Sequence, residues 1–224
     1  MSADEAPAVL FERRGQSAWI TINRPAAKNT MNAAVFVGLA EAWDEVRANP
    51  DIRVAVLTGA GDEDFCCGGD LAEMIPLWTR ARTPQNEIEE KVLADTKIVA
   101  RVMFQDRPML KPVIGAFNGR ALGGGCEIAQ ATDIRIAAPH AVFGVPEPKR
   151  GLVPGAGTMV RLVRQIGYAN AMKMLLTGDP VTAAEAKDIG LISEVVPADR
   201  LEARAQELAD LVAANAPLAL EAIK

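Results

Sequence analysis

The feature that most constrains this chain is a repeated order of apolar strand, glycine-rich loop and helix. The runs at 54–59 (VAVLTG) and 112–119 (PVIGAFNG) are apolar on both faces, and 133–138 (DIRIAA) is a third such run. Strands of this kind are typical of parallel sheets that helices cover. Parallel strands also need a crossover connection, which the helical stretches between these runs supply. The order therefore predicts an α/β fold with parallel strand pairing.

The rest of the chain fits one domain of this class. Strands at 9–13 and 18–22, joined at Gly15, predict an opening hairpin. Asn32 is placed to cap a helix that runs to about Ala48. Further predicted elements are a long helix at 85–107, helices at 156–166, 169–177 and 182–189, a strand at 192–196, and a last helix from 198 that is still running at 224. Because no low-complexity linker interrupts them, we expect a single core.

Charge and composition exclude several classes of protein. The chain has 24 Lys and Arg against 29 Asp and Glu, and the resulting net charge of −5 argues against a nucleic-acid partner. No run approaches the 18 or so consecutive apolar residues of a membrane helix. Residues 1–8 (MSADEAPA) are acidic and lack the basic start and apolar run of a targeting signal. A soluble, cytoplasmic protein with no membrane partner is expected.

The cysteines and the single histidine offer no obvious chemistry. Cys66 and Cys67 are adjacent and Cys126 is alone, so no disulfide framework is predicted and a reducing compartment is favoured. Their spacing matches no zinc site, and we expect small buried apolar side chains and no metal. The lone His140 lies in a polar turn without a recognisable nucleophile and acid. We interpret it as a surface residue, which makes a Ser-His-Asp hydrolase improbable.

Two glycine-rich loops follow predicted strands, and neither is a nucleotide-binding loop. They lie at 65–70 (FCCGGD) and 119–125 (GRALGGG), and neither contains G-x-G-x-x-G or a Gly-Lys-Ser/Thr ending. Glycine permits close backbone approach to a ligand, and a helix that starts next directs free N–H groups outward. Loops from adjacent parallel strands can thus direct two amides at one oxygen, as an oxyanion hole does. The alternative, that these glycines only form tight turns, is equally open on this pattern.

Two glutamates lie close to these loops in the sequence. Glu127 is in the first turn of the helix that follows the second loop. Glu147 lies between Pro146 and Pro148, in a proline-broken loop that the sequence predicts at 143–148. A carboxylate in a rigid loop at a strand end is placed where open α/β sheets bind ligands. Two glutamates around one cavity can hold a water and divide acid and base roles between them. The alternatives are that Glu127 only complements its helix dipole and that Glu147 is merely exposed.

Together these residues resemble the enoyl-CoA hydratase/isomerase (crotonase) family. The matching segments keep their order over nearly the whole chain: 23–32 (NRPAAKNTMN), 55–74 (AVLTGAGDEDFCCGGDLAEM), 111–138 (KPVIGAFNGRALGGGCEIAQATDIRIAA), 143–157 (FGVPEPKRGLVPGAG) and 175–197 (LLTGDPVTAAEAKDIGLISEVVP). The resemblance implies a β/α spiral of stacked parallel strands at 1–197, followed at 198–224 by the start of a C-terminal helical region. It also implies homotrimers or dimers of trimers that bind acyl-CoA thioesters.

The resemblance assigns roles to the residues reached above. It implies that the amides of Gly69 and Gly124 hold the thioester oxygen, that Glu127 activates water for attack at Cβ, and that Glu147 exchanges the proton at Cα. The family's isomerases typically keep only one of these acids. Two glutamates therefore favour hydration of a trans-2-enoyl-CoA to a 3-hydroxyacyl-CoA. The alternatives are isomerisation, thioester hydrolysis or ring cleavage of another acyl-CoA, or acyl-CoA binding without catalysis.

By the same resemblance, the substrate is bound by several residues around the glycine loops, and no cofactor is needed beyond the coenzyme A of the substrate. The implied substrate-binding residues are Ala27, Lys28, Gly68, Asp70, Leu71, Ala72, Gly123 and Pro146.

The chain departs from the family pattern at four places. Ala72 stands where the family often has Lys, Cys66-Cys67 is bulkier than the usual small pair, and 158–160 (TMV) replaces the more usual Gly-Thr-Gln. The family's C-terminal helices have no counterpart after Lys224, so we expect the C-terminal helical region to be incomplete in this sequence.

Overall fold

A computed structural model describes residues 6–224. Residues 1–5, which belong to the acidic start and to the predicted core at 1–197, lie outside the described range. The strands are β1 (Val9–Arg14), β2 (Ser17–Ile22), β3 (Val54–Gly59), β4 (Asp64–Cys66), β5 (Val113–Phe117), β6 (Arg120–Leu122), β7 (Ile134–Ala137), β8 (Val142–Gly144), β9 (Val181–Thr182) and β10 (Glu194–Val195). The helices are α1 (Ala33–Ala48), α2 (Leu71–Trp78), α3 (Glu87–Ala94), α4 (Ile98–Val102), α5 (Gly124–Ala129), α6 (Thr158–Ile166), α7 (Tyr168–Thr177), α8 (Ala183–Asp188), α9 (Leu201–Ala213) and α10 (Pro217–Ile223).

The strands form two sheets whose pairing is mainly parallel, which confirms the predicted α/β class. The first sheet has the order β1-β2-β3-β5-β7-β10, and every pair in it is parallel except the β1–β2 hairpin. The second has the order β4-β6-β8-β9, in which β4, β6 and β8 run parallel and β9 pairs antiparallel with β8. Each strand of the second sheet from β4 to β8 follows a strand of the first, so the chain alternates between the sheets.

The predicted opening hairpin and the helix after Asn32 are confirmed. The opening hairpin pairs Val9 with Ile22 and Arg14 with Ser17. Helix α1 begins after Asn32, whose side chain accepts a hydrogen bond from the Val35 amide. This is the capping arrangement that the sequence predicts, because the asparagine oxygen satisfies one of the four free N–H groups of the first turn.

Three predicted loops are partly wrong because they contain short strands. The loop at 65–70 begins inside β4, the loop at 119–125 contains β6, and the proline-broken loop at 143–148 begins inside β8. Each of these strands is three residues long. A segment of that length shows no alternation of apolar and polar side chains, and its glycine neighbours favour a loop prediction.

Two predicted helices are interrupted. The helix predicted at 85–107 is broken into α3 and α4 at Asp95, which leaves helical geometry and whose side chain accepts the Lys97 amide. The last predicted helix begins with a 3₁₀ turn and then divides into α9 and α10 before Pro217. Proline disfavours helical geometry in the preceding residue, and Ala216 is accordingly extended.

Helix α9 closes one face of the first sheet. Its alanines at 205, 209 and 213 repeat every four residues, and with Leu201 they pack on buried side chains that include Val54 and Ile114. The small side chains let the helix lie close to the strands. A larger cluster on the other side contains α1, the strands of both sheets and the buried rings of Phe65, Phe117 and Phe143. Among residues 6–224, no helix is both long and apolar enough to cross a membrane.

Candidate active site

The two glycine-rich loops meet where β4 and β6 end. These strands are parallel neighbours, so their carboxyl ends lie at the same edge of the sheet. A Cβ atom built on Gly68 would lie 3.2 Å from the Gly124 amide nitrogen, and one built on Gly124 would lie 3.7 Å from the Gly69 amide nitrogen. Within the described part of the chain, neither the Gly69 nor the Gly124 amide has a backbone acceptor. The loops therefore present two free N–H groups side by side.

Close packing between the strands and α5 brings the loops together. A Cβ on Gly125 would lie 1.9 Å from the Cys66 carbonyl oxygen, so only glycine permits this approach. Gly68 and Gly123 have positive φ angles of 91° and 55°, conformations that side chains rarely adopt.

A backbone bridge fixes the Gly69 loop from its other side. The Met31 amide donates to the Gly68 carbonyl over 2.8 Å, and the Asp70 amide donates to the Met31 carbonyl over 3.0 Å. Asp70 then caps α2 and pairs with Arg24 over 3.1 Å. The loop is thereby held in place before any ligand binds.

A cavity of about 270 Å³ opens in front of the two amides. Besides Gly69, Gly124 and Glu147, its walls contain five of the predicted substrate-binding residues: Lys28, Gly68, Leu71, Gly123 and Pro146. Three predicted residues do not line it. Ala27 lines a separate cavity of about 680 Å³, Asp70 is engaged with Arg24, and Ala72 is exposed on α2.

Glu147 presents a carboxyl group to this cavity. It begins a 3₁₀ turn after Pro146, and its carbonyl accepts the Leu152 amide over 3.0 Å. Its Oε2 atom is buried and has no hydrogen-bond partner in the described residues. Burial raises the pKa of the Glu147 carboxyl, and the neighbouring charge of Glu127 raises it further. The Glu147 backbone amide and the charge of Arg150 lower this pKa, but burial is the largest effect and the protonated form is favoured, as a general acid requires.

Glu127 lies on α5 and is only 6% exposed. It is absent from the cavity wall, and its Oε1 atom accepts the Ala156 amide over 2.7 Å. Burial raises the pKa of Glu127, whereas hydrogen bonds from Ala156 and Thr158 and the charge of Arg161 lower it. The charge of Glu127 acts on Glu147, so the two carboxyl groups interact electrostatically. They differ in hydrogen bonding, because Glu127 accepts the Ala156 amide whereas Oε2 of Glu147 has no partner.

Sequence reasoning missed several residues of this site. Leu122, Arg150 and Leu152 line the cavity, as does Arg120, which pairs with Asp64. Arg150 follows Glu147 by three residues within one turn, and that spacing is the signal that could have placed it beside the carboxyl. His140, by contrast, is exposed, as predicted, with Nε2 2.7 Å from the Asp62 carbonyl oxygen.

The three cysteines are poorly ionised thiols, although Cys67 lines the cavity. Burial raises the pKa of Cys66, Cys67 and Cys126 to about 12 in each case, and Asp64, 3.1 Å from the Cys67 sulfur, acts in the same direction. Only the thiolate is a nucleophile.

We expect alkylation of these cysteines by iodoacetamide at pH 8 to be about 1,000-fold slower in the native protein than in the unfolded chain. Mass spectrometry of timed samples measures this, and rapid labelling of native Cys67 would contradict it.

Comparison with known proteins agrees with this fold. Residues 12–224 match the enoyl-CoA hydratase/isomerase family. The enoyl-CoA hydratase EchA19 of Mycobacterium tuberculosis is 43% identical over 99% of this chain and 80% of its own length. The short-chain-enoyl-CoA hydratase of Clostridium acetobutylicum is 38% identical over 96% of this chain and 79% of its own. A solved carnitinyl-CoA dehydratase from Mycobacterium avium superposes with a TM-score of 0.85 at 43% identity, covering 97% of this chain and 80% of that one.

The chain belongs to the enoyl-CoA hydratase/isomerase family, and its fold is the predicted crotonase-like β/α spiral.

Proposed function

We propose that this protein is an enoyl-CoA hydratase, which adds water to a trans-2-enoyl-CoA and forms a 3-hydroxyacyl-CoA. The observation that carries the proposal is the pair of free amides at Gly69 and Gly124, beside a cavity that holds the unpartnered Glu147 carboxyl. Relatives at 38–43% identity are named as enoyl-CoA hydratases, which supports the same reaction here.

In this proposal the two amides hold the thioester oxygen. Attack of water at Cβ places negative charge on that oxygen as an enolate forms. Two fixed N–H donors stabilise this charge more than they stabilise the neutral thioester, so the barrier falls. Each such donor contributes about 3 kcal/mol in well-studied acyl-transfer sites. The amide of Gly124 is also at the first turn of α5, where the helix dipole acts in the same direction.

The two glutamates share the proton transfers. Glu127, which accepts the Ala156 amide, acts as the carboxylate base and takes a proton from the water whose oxygen bonds to Cβ. Glu147, which has no donor on Oε2, acts as the acid and gives a proton to Cα. The product gains one water, and we propose that both carboxyls act from one side of the substrate, which makes the addition syn. The titrations of the two carboxyls are linked, because the charge of Glu127 raises the pKa of Glu147.

The pH dependence follows from the raised pKa values of both groups. Below the lower macroscopic pKa both carboxyls are protonated and no base is present. Above the higher one both are ionised and no acid remains. Since burial raises both pKa values above the ordinary 4.5, we propose a bell-shaped profile of kcat/KM whose acid limb lies above pH 4.5.

The remaining assignments concern substrate and assembly. We propose that Lys28, Gly68, Leu71, Gly123 and Pro146 contact the acyl-CoA within the cavity. Ala27, Asp70 and Ala72 do not line this cavity, and we propose that they act at its margin or by supporting the Gly69 loop. No cofactor is required beyond the coenzyme A of the substrate.

Assembly as a homotrimer or dimer of trimers is supported by four apolar side chains exposed near the site: Leu152, Val153, Met159 and Val160. A cytoplasmic location stays a prediction.

The test is incubation of the purified protein with crotonyl-CoA. Hydration removes the conjugated double bond, so we expect the absorbance of the enoyl thioester to fall and the product mass to rise by one water. Mass spectrometry separates the alternatives, because isomerisation leaves the mass unchanged and hydrolysis releases free coenzyme A. A panel of enoyl-CoAs of increasing chain length extends the assay to acyl preference. Absence of a hydrated product across the whole panel would contradict the proposal.

A further inference from the structure

A turn at 154–157 carries the amide that holds Glu127. Within it, the Ala156 amide donates to Oε1 of Glu127 over 2.7 Å. Ala156 stands between Gly155 and Gly157, and Gly157 has a positive φ angle of 103°. Glycine gives the backbone wide conformational freedom, so a turn of this kind needs contacts from outside to hold it in one conformation. The anchors of the turn therefore affect where the Glu127 carboxyl lies.

Arg161, in the first turn of α6, is such an anchor. Its Nη2 atom donates to the carbonyl of Met103, just after α4, over 2.6 Å, and its Nη1 atom donates to the Ala156 carbonyl over 3.4 Å. A Cβ atom built on Gly157 would lie 3.2 Å from Nη1 and 3.5 Å from Cζ, so the guanidinium lies directly against the turn. Among the described residues, no backbone amide donates to the Ala156 carbonyl. Arg161 thus joins the turn to a second helix.

The Arg161 guanidinium is suited to holding two carbonyls, and it lies outside the active cavity. A guanidinium is planar and carries its N–H donors in fixed directions, so one group can hold two carbonyls at a set separation. Arg161 is half-buried and does not line the cavity in front of Gly69 and Gly124. Burial lowers the pKa of Arg161, whereas the charge of Glu127 raises it, so the two groups also attract each other.

We propose that Arg161 is a positioning residue, which anchors the 154–157 turn to the end of α4 so that the Ala156 amide keeps the Glu127 carboxyl in place for the attacking water. The inference rests on the proposed hydration, in which Glu127 is the base. It goes beyond that proposal, because it assigns a role to a residue that lies outside the cavity and acts on Glu127 through the turn.

Loss of the anchor lowers kcat and leaves KM nearly unchanged. We expect Arg161→Met, which keeps the length of the side chain and loses its donors, to lower kcat for crotonyl-CoA by about 10–100-fold, since a displacement of about 1 Å in a reacting group has an effect of this size. KM stays within about threefold of wild type, because the amides of Gly69 and Gly124 still hold the thioester. Steady-state kinetics separates the two constants.

A double-mutant cycle shows whether Arg161 acts through Glu127. In Glu127→Gln the base is already lost, so we expect Arg161→Met to lower the residual kcat by less than about threefold. Effects that multiply in the double variant would overturn the inference. If Arg161→Met does not fold, the same cycle is made with Arg161→Lys.

Arg161→Lys also separates the anchor from the charge. It keeps the positive charge, but a single ammonium group cannot hold two carbonyls at a set separation. We therefore expect kcat about fivefold or more below wild type in this variant. Wild-type activity in Arg161→Lys would show that the charge alone is sufficient, and it would overturn the inference.

Arg53→Met is the matched control. Arg53 is also half-buried, and its Nη1 atom donates to the Ala213 carbonyl at the end of α9 over 2.9 Å, but it does not line the active cavity. We expect a loss in Tm comparable with that of Arg161→Met, together with wild-type kcat. An equal fall of kcat in both variants would make the effect one of general stability and would contradict the assigned role.

Hydrogen exchange of the Ala156 amide, followed by NMR, tests the anchor without turnover. This amide is bonded to a buried carboxyl, so it exchanges slowly while the turn is held in place. We expect its exchange to be about 10-fold faster or more in Arg161→Met than in Arg53→Met. Equal exchange in the two variants overturns the inference. Because no substrate is present, this result is distinguishable from a failure of the proposed hydration.

Discussion

Replacing Glu147 by Gln lowers kcat for crotonyl-CoA hydration by about 100-fold or more, because the amide cannot give its proton to Cα. Replacing Glu127 by Gln has an effect of similar size, since an amide cannot accept the proton of the attacking water. KM changes little in either variant, because the amides of Gly69 and Gly124 still hold the thioester. Steady-state kinetics of the two variants, followed by loss of the enoyl absorbance, measures this prediction.

The double variant and a surface control sharpen the same experiment. If the two carboxyls act on one reaction event, removing both costs little more than removing one. Glu90, exposed on α3, gives the control Glu90→Gln, for which we expect wild-type kinetics. Near-normal rates in both single variants would rule out the acid-base pair, even if hydration itself were observed.

Replacing Gly125 by Ala has the largest expected effect on stability. The new methyl group would lie 1.9 Å from the Cys66 carbonyl oxygen, and backbone atoms on both sides would have to move apart. Overpacking of a core costs about 1–3 kcal/mol, and more where the backbone cannot adjust. We expect a loss of about 3 kcal/mol in the free energy of unfolding, which lowers the Tm by about 6–12 °C in a chain of this size. Calorimetry or thermal circular dichroism measures the shift.

Activity should fall in the same variant, because Gly125 holds α5 against β4 and so sets the separation of the Gly69 and Gly124 amides. The matched control is Gly155→Ala, at an exposed glycine where a Cβ meets no atom closer than 3.9 Å. Its Tm should stay within about 2 °C of wild type. A Gly125→Ala protein as stable as this control would show that the close approach of α5 to β4 does not limit the fold.

Strand β3 and helix α1 could be predicted because their residues carry local signals. Strand β3 is a continuous apolar run, and α1 combines an asparagine cap with apolar residues at helical spacing. Strands β4, β6 and β8 carry no such signal, since three residues do not establish a period. The pairing of β4 with β6, which brings the glycine loops together, depends on contacts between segments more than 50 residues apart, such as Asp64 with Arg120.

The candidate site was predictable in its residue types and less so in its environment. The sequence singles out Glu127 and Glu147, but it does not show that one carboxylate accepts the Ala156 amide, just before α6, while the other has an unpartnered oxygen. Nor does it show that Asp70 points away to Arg24 and that Ala72 faces outward. These differences arise from tertiary packing, because each involves a partner from a distant segment or the direction of a side chain on a turn.

A crystal structure of the complex with butyryl-CoA, a saturated thioester that cannot be hydrated, tests the central claim most directly. The distances to measure run from the thioester carbonyl oxygen to the amide nitrogens of Gly69 and Gly124. The account predicts that both are about 2.7–3.1 Å, with the Glu147 carboxyl next to Cα. A carbonyl oxygen bound by only one of these amides, or turned away from both, would contradict it.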